Sequence, residues 1–171
     1  MHSTVESAAA NLRALLCGID STAHVVAHSL GGLVALETFA TEAGLPPGRL
    51  LLLGSPVQGS RAAQAISAWS FGPQLLGDLA IAAIAKPCQR RWSGTREIGL
   101  IAGRRSAGLG RLFASLPQPN DGTICLEETE LPGAIARIVL DVSHTGMLFS
   151  REVARAAAEF LHRGRFPHKG E

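Results

Sequence analysis

A five-residue stretch with the sequence Ala-His-Ser-Leu-Gly, residues 27–31, joins a strand-like apolar run to a run with helical periodicity. A strand that ends at a serine and turns at once into a helix holds the serine oxygen at the end of a sheet. The residues two positions either side must be small, because strand and helix pass close together there. Ala27 and Gly31 meet this requirement. The sequence therefore predicts a strand–turn–helix unit that presents Ser29 as a nucleophile.

Strand-like and helix-like segments alternate along the rest of the chain. The run Leu50–Leu53 is continuously apolar, which is typical of a parallel strand covered on both faces. Hydrophobic periodicity predicts strands over 23–27, 50–53, 97–102 and 136–142, and helices over 4–17, 30–43, 61–69, 73–86 and 150–163. A capping box at Ser3 begins the first helix. This alternation predicts an α/β fold with a mostly parallel sheet of about four strands flanked by helices.

The length of 171 residues fits one domain, residues 1–171, with a single packed core. Segment 59–89 has helical composition in two pieces and follows a strand end, so we expect it to form a helical cap over the site. Trp69 and Phe71 in this segment are candidate substrate-binding residues that would line an acyl pocket. The alternative is that they are ordinary core residues.

Charge and cysteine content exclude several classes of protein. The net charge is only +2 and the arginines are scattered, so no basic stripe predicts a nucleic-acid partner. The most apolar window, Leu75–Ala85, is shorter than the roughly 20 residues of a membrane span, which argues against stable membrane insertion. The first thirty residues show no export signal. Three widely spaced cysteines, Cys17, Cys88 and Cys125, predict reduced thiols in a cytoplasmic protein.

A serine hydroxyl is a poor nucleophile at neutral pH unless a histidine base and an orienting carboxylate accompany it. Asp121 lies in an Asn-Asp-Gly turn and His144 in a Ser-His-Thr-Gly turn, and each follows a predicted strand region. Functional groups gather at the carboxyl ends of parallel strands. Asp141 is the rival acid, but it falls within a predicted strand. The simpler alternatives are that Ser29 is a helix N-cap and that His144 caps a strand end.

The two histidines around the turn do not predict a metal site. His24 and His28 are four residues apart, a spacing that aligns ligands on a helix, whereas both fall on a strand and its turn. His28 is expected to form a pocket wall or to pack beside the nucleophile, and we count it among the candidate substrate-binding residues. No metal and no cofactor are predicted. The acidic residues Glu127, Glu128 and Glu130 predict a solvated face.

Taken together, three segments resemble the α/β-hydrolase family, of the small bacterial lipase and esterase type. They are Val25–Glu37, the Leu-Gly-Ser-Pro-Val-Gln-Gly-Ser stretch over 53–60, and Asp121-Gly122 followed by Ser143-His144. Ala27 stands where the usual G-x-S-x-G pattern has its first glycine. The resemblance extends over most of the chain.

This resemblance implies a role for each candidate residue. Ser29 would be the nucleophile, His144 the general base and then acid, and Asp121 the orienting carboxylate. The backbone N–H of Leu30 would contribute to an oxyanion hole. The implied activity is a serine-dependent carboxylic ester hydrolase that acts through an acyl-enzyme on short-chain, small-molecule esters. The alternatives are acyl transfer or amide cleavage by the same residues, and a catalytically impaired remnant that serves as a binding or assembly module.

The chain departs from the family at its beginning. Such hydrolases place several strands ahead of the nucleophile turn, and one of them ends in a His-Gly loop that supplies a second oxyanion donor. Here only about 22 residues precede the first predicted strand. Truncation of the reading frame, self-association, or substitution by another N–H group would each account for the difference. An exposed edge on the nucleophile strand favours association, so a homo-oligomer is predicted.

Overall fold

A parallel four-stranded sheet forms the centre of the fold. The computed structural model of the protein describes residues 4–41, 43–67, 84, 87–107 and 116–167. The strands are β1 (Val25–His28), β2 (Leu50–Leu53), β3 (Ile98–Gly103) and β4 (Ala136–Leu140). They lie side by side in chain order and every pair is parallel. The predicted α/β class with a mostly parallel sheet is confirmed.

Four helices are described around this sheet. They are α1 (Val5–Cys17), α2 (Gly31–Phe39), α3 (Arg61–Ser67) and α4 (Arg151–Arg163). Two 3₁₀ segments, Leu126–Thr129 and Thr145–Phe149, lie on either side of β4 in the sequence. No helix in the described ranges is both long enough and apolar enough to cross a membrane.

Strand β2 shows why the sheet is covered on both faces. Its four leucines are all buried, and successive side chains of a strand point to opposite faces. Leu50 and Leu52 belong to the core that α1 and α2 complete with residues such as Leu16, Leu33, Leu36 and Phe39. Leu51 and Leu53 belong to the core that α4 completes with Val153, Ala156 and Phe160. The continuous apolar run is therefore the signature of a strand inside two layers.

Helix α4 begins and ends where its sequence predicts. The Ser150 hydroxyl accepts a hydrogen bond from the Val153 N–H at 3.3 Å, and Gly164 ends the helix in the left-handed region, with φ 72°. Phe160 lies directly against β3, where a Cβ on Gly99 would come within 2.7 Å of its ring. The helix is thus fixed closely against the sheet.

Two predicted helix boundaries differ from the structure. Thr4 is the N-cap of α1, and its hydroxyl accepts from the Ser7 N–H, one residue beyond the start of the predicted capping box. Helix α2 ends at Phe39 rather than near residue 43. At this end the Arg13 guanidinium of α1 donates to the carbonyl oxygens of Thr38, Thr41 and Ala43. A tertiary contact thus satisfies one of the last carbonyls of α2 and two carbonyls just beyond the helix.

The predicted cap is described only in part. Helix α3 is its first piece, and the Ser60 N–H donates to the carbonyl of Ile84 at 2.6 Å. Trp69, Phe71 and most of the second predicted helix lie outside the described residues. The single domain, the cap and the role of these two aromatic residues stay predictions.

Strand register brings the ends of the strands to one edge. His28 is aligned with Leu53, Leu53 with Ile101, and Gly103 with Leu140. The residues that follow each strand are therefore neighbours at the carboxyl edge, which is where ligands bind in open α/β sheets.

Candidate active site

Ser29 occupies a strained turn at the end of β1. Its φ is 55°, and among the described residues it alone combines a side chain with a positive φ. Its N–H still donates to the Leu53 carbonyl of β2 at 2.9 Å, while its own carbonyl accepts from the Gly32 N–H at 3.0 Å. The chain thus passes from strand to helix within two residues, Ser29 and Leu30. Such a conformation costs about 1 to 2 kcal/mol, which the surrounding sheet and helix must offset.

Gly32 is the residue beside the turn that packs most closely against its neighbours. A Cβ at Gly32 would lie 2.2 Å from the Ser55 hydroxyl oxygen, whereas one at Gly31 would lie an ordinary 4.0 Å from the Cβ of Ala27. Ser55 is buried and belongs to the loop after β2. The small residue that this turn requires is therefore the second glycine of the Leu-Gly-Gly sequence.

A hydrogen-bonded line runs from Ser29 through His144 to Asp121. The distance from His144 Nε2 to Ser29 Oγ is 3.0 Å, and that from His144 Nδ1 to Asp121 Oδ2 is 2.7 Å. Asp121 is 1% exposed and His144 8%. An ionised carboxylate can only accept, so Nδ1 carries the imidazole proton and Nε2 is left to accept from the hydroxyl. This is the protonation state that a general base for Ser29 requires.

Backbone groups fix the Asp121 carboxylate in place. Its Oδ1 accepts from the N–H groups of Thr123 and Ile124, at 2.9 and 2.7 Å, which leaves Oδ2 for His144. The His144 N–H donates in turn to the Asp121 carbonyl at 2.9 Å. Acid and base are thus joined through both main chain and side chain.

In the part of the chain that the structure describes, the backbone N–H of Leu30 has no hydrogen-bond acceptor. Leu30 has helical dihedral angles as the N-cap of α2, and no described backbone carbonyl accepts its N–H. The first N–H groups of a helix lack intrahelical acceptors and carry the positive end of the helix dipole. An oxygen anion that forms next to Ser29 would meet this donor.

Comparisons with known proteins identify the family of this chain. The family model described as "Alpha/beta hydrolase family" matches residues 2–169. The chain belongs to the alpha/beta hydrolase family. The membership that the sequence motifs predicted is confirmed. No match was found among curated protein sequences.

Solved structures of other alpha/beta hydrolases share the fold. The mature form of the Bacillus licheniformis lipase BlEst2 has a TM-score of 0.67 at 16% identity, over 94% of this chain and 74% of the lipase. The Vlm2 thioesterase domain has a TM-score of 0.54 at 16% identity, over 95% and 78% of the two chains. A putative alpha/beta hydrolase family protein from Desulfitobacterium hafniense gives 0.53 at 16% identity, over 94% and 78%.

Asp141, the rival acid in this alpha/beta hydrolase, has an arginine as its partner instead of His144. Strand β4 ends at Leu140, so Asp141 follows the strand instead of lying within it. Its exposed carboxylate forms an ion pair with Arg105 at 3.0 Å. The hydrogen bond from Arg105 lowers the pKa of Asp141. The structure brings Asp121, and not Asp141, to the histidine.

His28 lies against His144. Its Nε2 is 3.1 Å from the His144 carbonyl oxygen, and the two ring centroids are 4.6 Å apart. Burial lowers the pKa of His28, and the neighbouring His144 lowers it further. His24, at the other end of the strand, instead accepts from the Arg49 N–H, so the two histidines have separate partners.

Glu128 corrects the prediction of a uniformly solvated acidic face. It is 6% exposed, and its two carboxylate oxygens accept from the N–H groups of Cys125 and Arg61, at 2.7 and 2.6 Å. Burial raises the pKa of Glu128, and these two bonds partly offset that effect. Only a weak sequence signal pointed to it, namely a glutamate three residues after the start of a turn.

Gly54 is a further residue of the site that sequence reasoning did not single out. It follows β2 with φ 52°, and a Cβ there would lie 3.2 Å from both Asp121 Oδ2 and His144 Nδ1. Gly54 thus leaves space for the hydrogen bond between acid and base.

Proposed function

We propose that this protein is a serine-dependent carboxylic ester hydrolase that acts on short-chain, small-molecule esters. The observation that carries the proposal is the buried line of hydrogen bonds from Ser29 through His144 to Asp121, with lengths of 3.0 and 2.7 Å. Membership of the alpha/beta hydrolase family supports it. The lipase and thioesterase neighbours support acyl chemistry in general.

The proposed reaction has two halves. Ser29 Oγ attacks the ester carbonyl carbon while His144 Nε2 takes its proton, and the tetrahedral intermediate collapses as His144 returns that proton to the departing alcohol. A water molecule then gives a proton to His144 and attacks the carbonyl carbon of the acyl-enzyme. His144 returns that proton to Ser29 Oγ as the bond to the acyl group breaks, which releases the carboxylic acid and restores Ser29. Asp121 stabilises the imidazolium form of His144 in each half without accepting the proton itself.

The Leu30 N–H is the proposed oxyanion donor. A donor aimed at the developing negative charge is worth about 3 to 4 kcal/mol in comparable sites. Trp69 and Phe71 remain proposed contributors to the substrate pocket. For His28, which the sequence predicted to form a pocket wall or to pack beside the nucleophile, we propose the packing role, because its ring lies against His144. The reaction as proposed uses no cofactor or metal.

We further propose a cytoplasmic homo-oligomer. The free thiols of Cys17, Cys88 and Cys125 support a reducing compartment. The position of β1 at an edge of the described sheet supports association. Nucleic acid is not a proposed partner, because the charge is low and dispersed.

Labelling with a fluorophosphonate probe tests the nucleophile. Wild-type protein is expected to form a covalent adduct on Ser29, and Ser29→Ala protein to form none, because the probe captures an activated serine. Equal labelling of the two proteins would contradict the proposal. A wild-type protein that remains unlabelled would instead favour the alternative of a folded but impaired hydrolase that serves in binding or assembly.

The two aspartates provide a matched test of the acid. Asp121→Asn is expected to lower kcat for p-nitrophenyl acetate by up to about 10⁴-fold, because an amide can hold His144 in the wrong tautomer. Asp141→Asn should leave kcat unchanged, because the exposed Asp141 carboxylate pairs with the guanidinium of Arg105 and not with His144. A fully active Asp121→Asn enzyme would remove Asp121 from the mechanism.

A further inference from the structure

His28, the residue before Ser29, connects the nucleophile turn to the loop that bears His144. Its side chain leaves β1 on the face opposite to Ala27, since successive side chains of a strand alternate. There its Nε2 lies 3.1 Å from the carbonyl oxygen of His144 and its ring lies at 44° to the His144 ring. A carbonyl oxygen can only accept, so His28 donates through Nε2–H.

Both backbone groups of His144, its N–H and its carbonyl, are thereby held by hydrogen bonds. Its N–H donates to the Asp121 carbonyl at 2.9 Å, and its carbonyl accepts from His28. The first bond fixes His144 relative to the acid. The second fixes it relative to the residue that precedes the nucleophile, so it bears directly on the 3.0 Å separation between Ser29 Oγ and His144 Nε2.

We propose that His28 is a positioning residue that holds His144 at reacting distance from Ser29 by donating a hydrogen bond to the His144 carbonyl. This inference rests on the proposed function, in which His144 takes the proton of Ser29. Among the described residues, the side-chain hydrogen bond of His28 goes to the His144 carbonyl, while the two imidazole nitrogens of His144 bond to Ser29 and Asp121. The effect of His28 on the reaction is therefore geometric.

The neutral form of His28 suits this role. Burial is the main cause that lowers its pKa, and His144 and Asp121 are the titratable groups that act on it, the first lowering and the second raising the pKa. When Ser29 gives its proton to His144, a neutral His28 adds no second positive charge beside the new imidazolium. Neutral His28 thus donates its hydrogen bond to the His144 carbonyl without opposing the positive charge that forms on the His144 imidazole.

Three substitutions separate the hydrogen bond from the bulk of the ring. His28→Phe keeps a ring and His28→Leu keeps apolar volume, but neither can donate. His28→Gln retains an N–H donor at similar reach. The matched control is His24→Phe, which removes an exposed histidine at the opposite end of the same strand. The described hydrogen bond of His24 is the one that it accepts from the Arg49 N–H. Urea unfolding of each variant reports whether the fold is intact.

Loss of the donor is expected to lower kcat for p-nitrophenyl acetate by about 10- to 100-fold with KM within about 2-fold, since sub-ångström to 1 Å displacements have effects of this size. The rate of fluorophosphonate labelling at Ser29 should fall in parallel. His28→Gln should restore kcat to within about 3-fold of wild type, since one neutral hydrogen bond replaces another. His24→Phe should match wild type.

Several results would overturn the inference. One is a His28→Phe or His28→Leu enzyme with wild-type kcat. Another is a His28→Gln enzyme that loses as much kcat as His28→Leu although both unfold at the wild-type urea concentration. Labelling of wild type at Ser29, with the same rate in the folded donor-free variants, would reject this inference alone. Failure to label wild type at Ser29 would reject the proposed function and this inference together.

Discussion

At the scale of single residues, the absence of a side chain at Gly54 protects the bond between acid and base. A Cβ at this position would lie 3.2 Å from both Asp121 Oδ2 and His144 Nδ1. Those contacts are tighter than ordinary packing allows, so the carboxylate or the imidazole would have to move. A 2.7 Å hydrogen bond between buried groups cannot lengthen without loss of orientation.

Gly54→Ala is therefore expected to lower kcat for p-nitrophenyl acetate by about 10-fold or more, as misplaced catalytic groups do. Gly44→Ala is a close control, because Gly44 also has a positive φ, 75°, but a Cβ there meets nothing within 4 Å. Each change should reduce the free energy of unfolding by about 1 to 2 kcal/mol, because alanine is disfavoured in that conformation. Equal kcat values for the two variants would show that Gly54 matters only for stability.

The sequence indicated residues whose signals are local in the chain, and it missed contacts between residues that are far apart in the chain. Ser29 stands out because its small neighbours are adjacent in the chain, and Asp121 and His144 because each lies in a turn after a strand region. The contact of His28 with His144 joins residues 116 apart, and no local pattern encodes it. Gly54 is missed for the same reason, since its nearest groups come from two later loops.

At the scale of elements, Glu128 joins the loop that bears Asp121 to the first turn of α3. Its carboxylate accepts from the Cys125 N–H on one side and from the Arg61 N–H on the other. Glu128→Gln replaces one acceptor oxygen with a donor, so one buried N–H would face an NH₂ group. We expect a loss of about 1 to 3 kcal/mol in the free energy of unfolding, measured by urea at pH 7.

Glu127→Gln is the matched control for this element. Glu127 is exposed and pairs with the Arg61 side chain, so its loss should cost under about 1 kcal/mol. The pKa of Glu128 is raised above 4.5 in the folded protein, so the protonated carboxyl is favoured by folding. Its contribution to the free energy of unfolding is therefore complete below pH 4.5 and is lost as the pH rises through the raised pKa. This part of the pH dependence should disappear in Glu128→Gln protein and persist in Glu127→Gln. Identical unfolding curves for the two variants would show that Glu128 does not stabilise the contact between the Asp121 loop and α3.

The elements themselves were largely predictable, whereas their ends were not. Strand β2 and helix α4 match the predicted segments within a residue, because apolar periodicity and the Ser150 cap are local signals. Helix α2 ends earlier than predicted, at a place where the Arg13 guanidinium of α1 binds the Thr38 carbonyl and the Thr41 carbonyl just beyond the helix. No local pattern encodes this contact between two helices. Glu128 was predicted to be solvated because its neighbours are acidic, and only the tertiary fold buries it.

At the scale of the whole molecule, β1 is an edge of the described sheet and presents backbone groups that no described strand uses. Val25 and Ser29 donate their N–H groups to carbonyls at the two ends of β2. Alternate residues of a strand point the same way, so the Val26 N–H points away from β2. Its side chain is 49% exposed. An edge of this kind is a template for pairing with a further strand, including that of a second copy.

Substitution of Val26 can test association without disturbing the intramolecular ladder. Val26→Pro removes the outward N–H but no bond to β2, and proline is tolerated on edge strands. Val26→Ala keeps the N–H and removes most of the apolar side chain. In sedimentation velocity, the wild-type protein is expected to show a mass that rises with concentration, Val26→Ala to associate more weakly, and Val26→Pro to remain monomeric. The proposed oligomer is wrong if wild type is a monomer at every concentration and fully active, or if Val26→Pro associates as strongly as wild type.

Because Val26 lies within three residues of Ser29, a loss of esterase activity in monomeric, folded Val26→Pro protein would indicate that a paired β1 edge helps to hold the nucleophile turn.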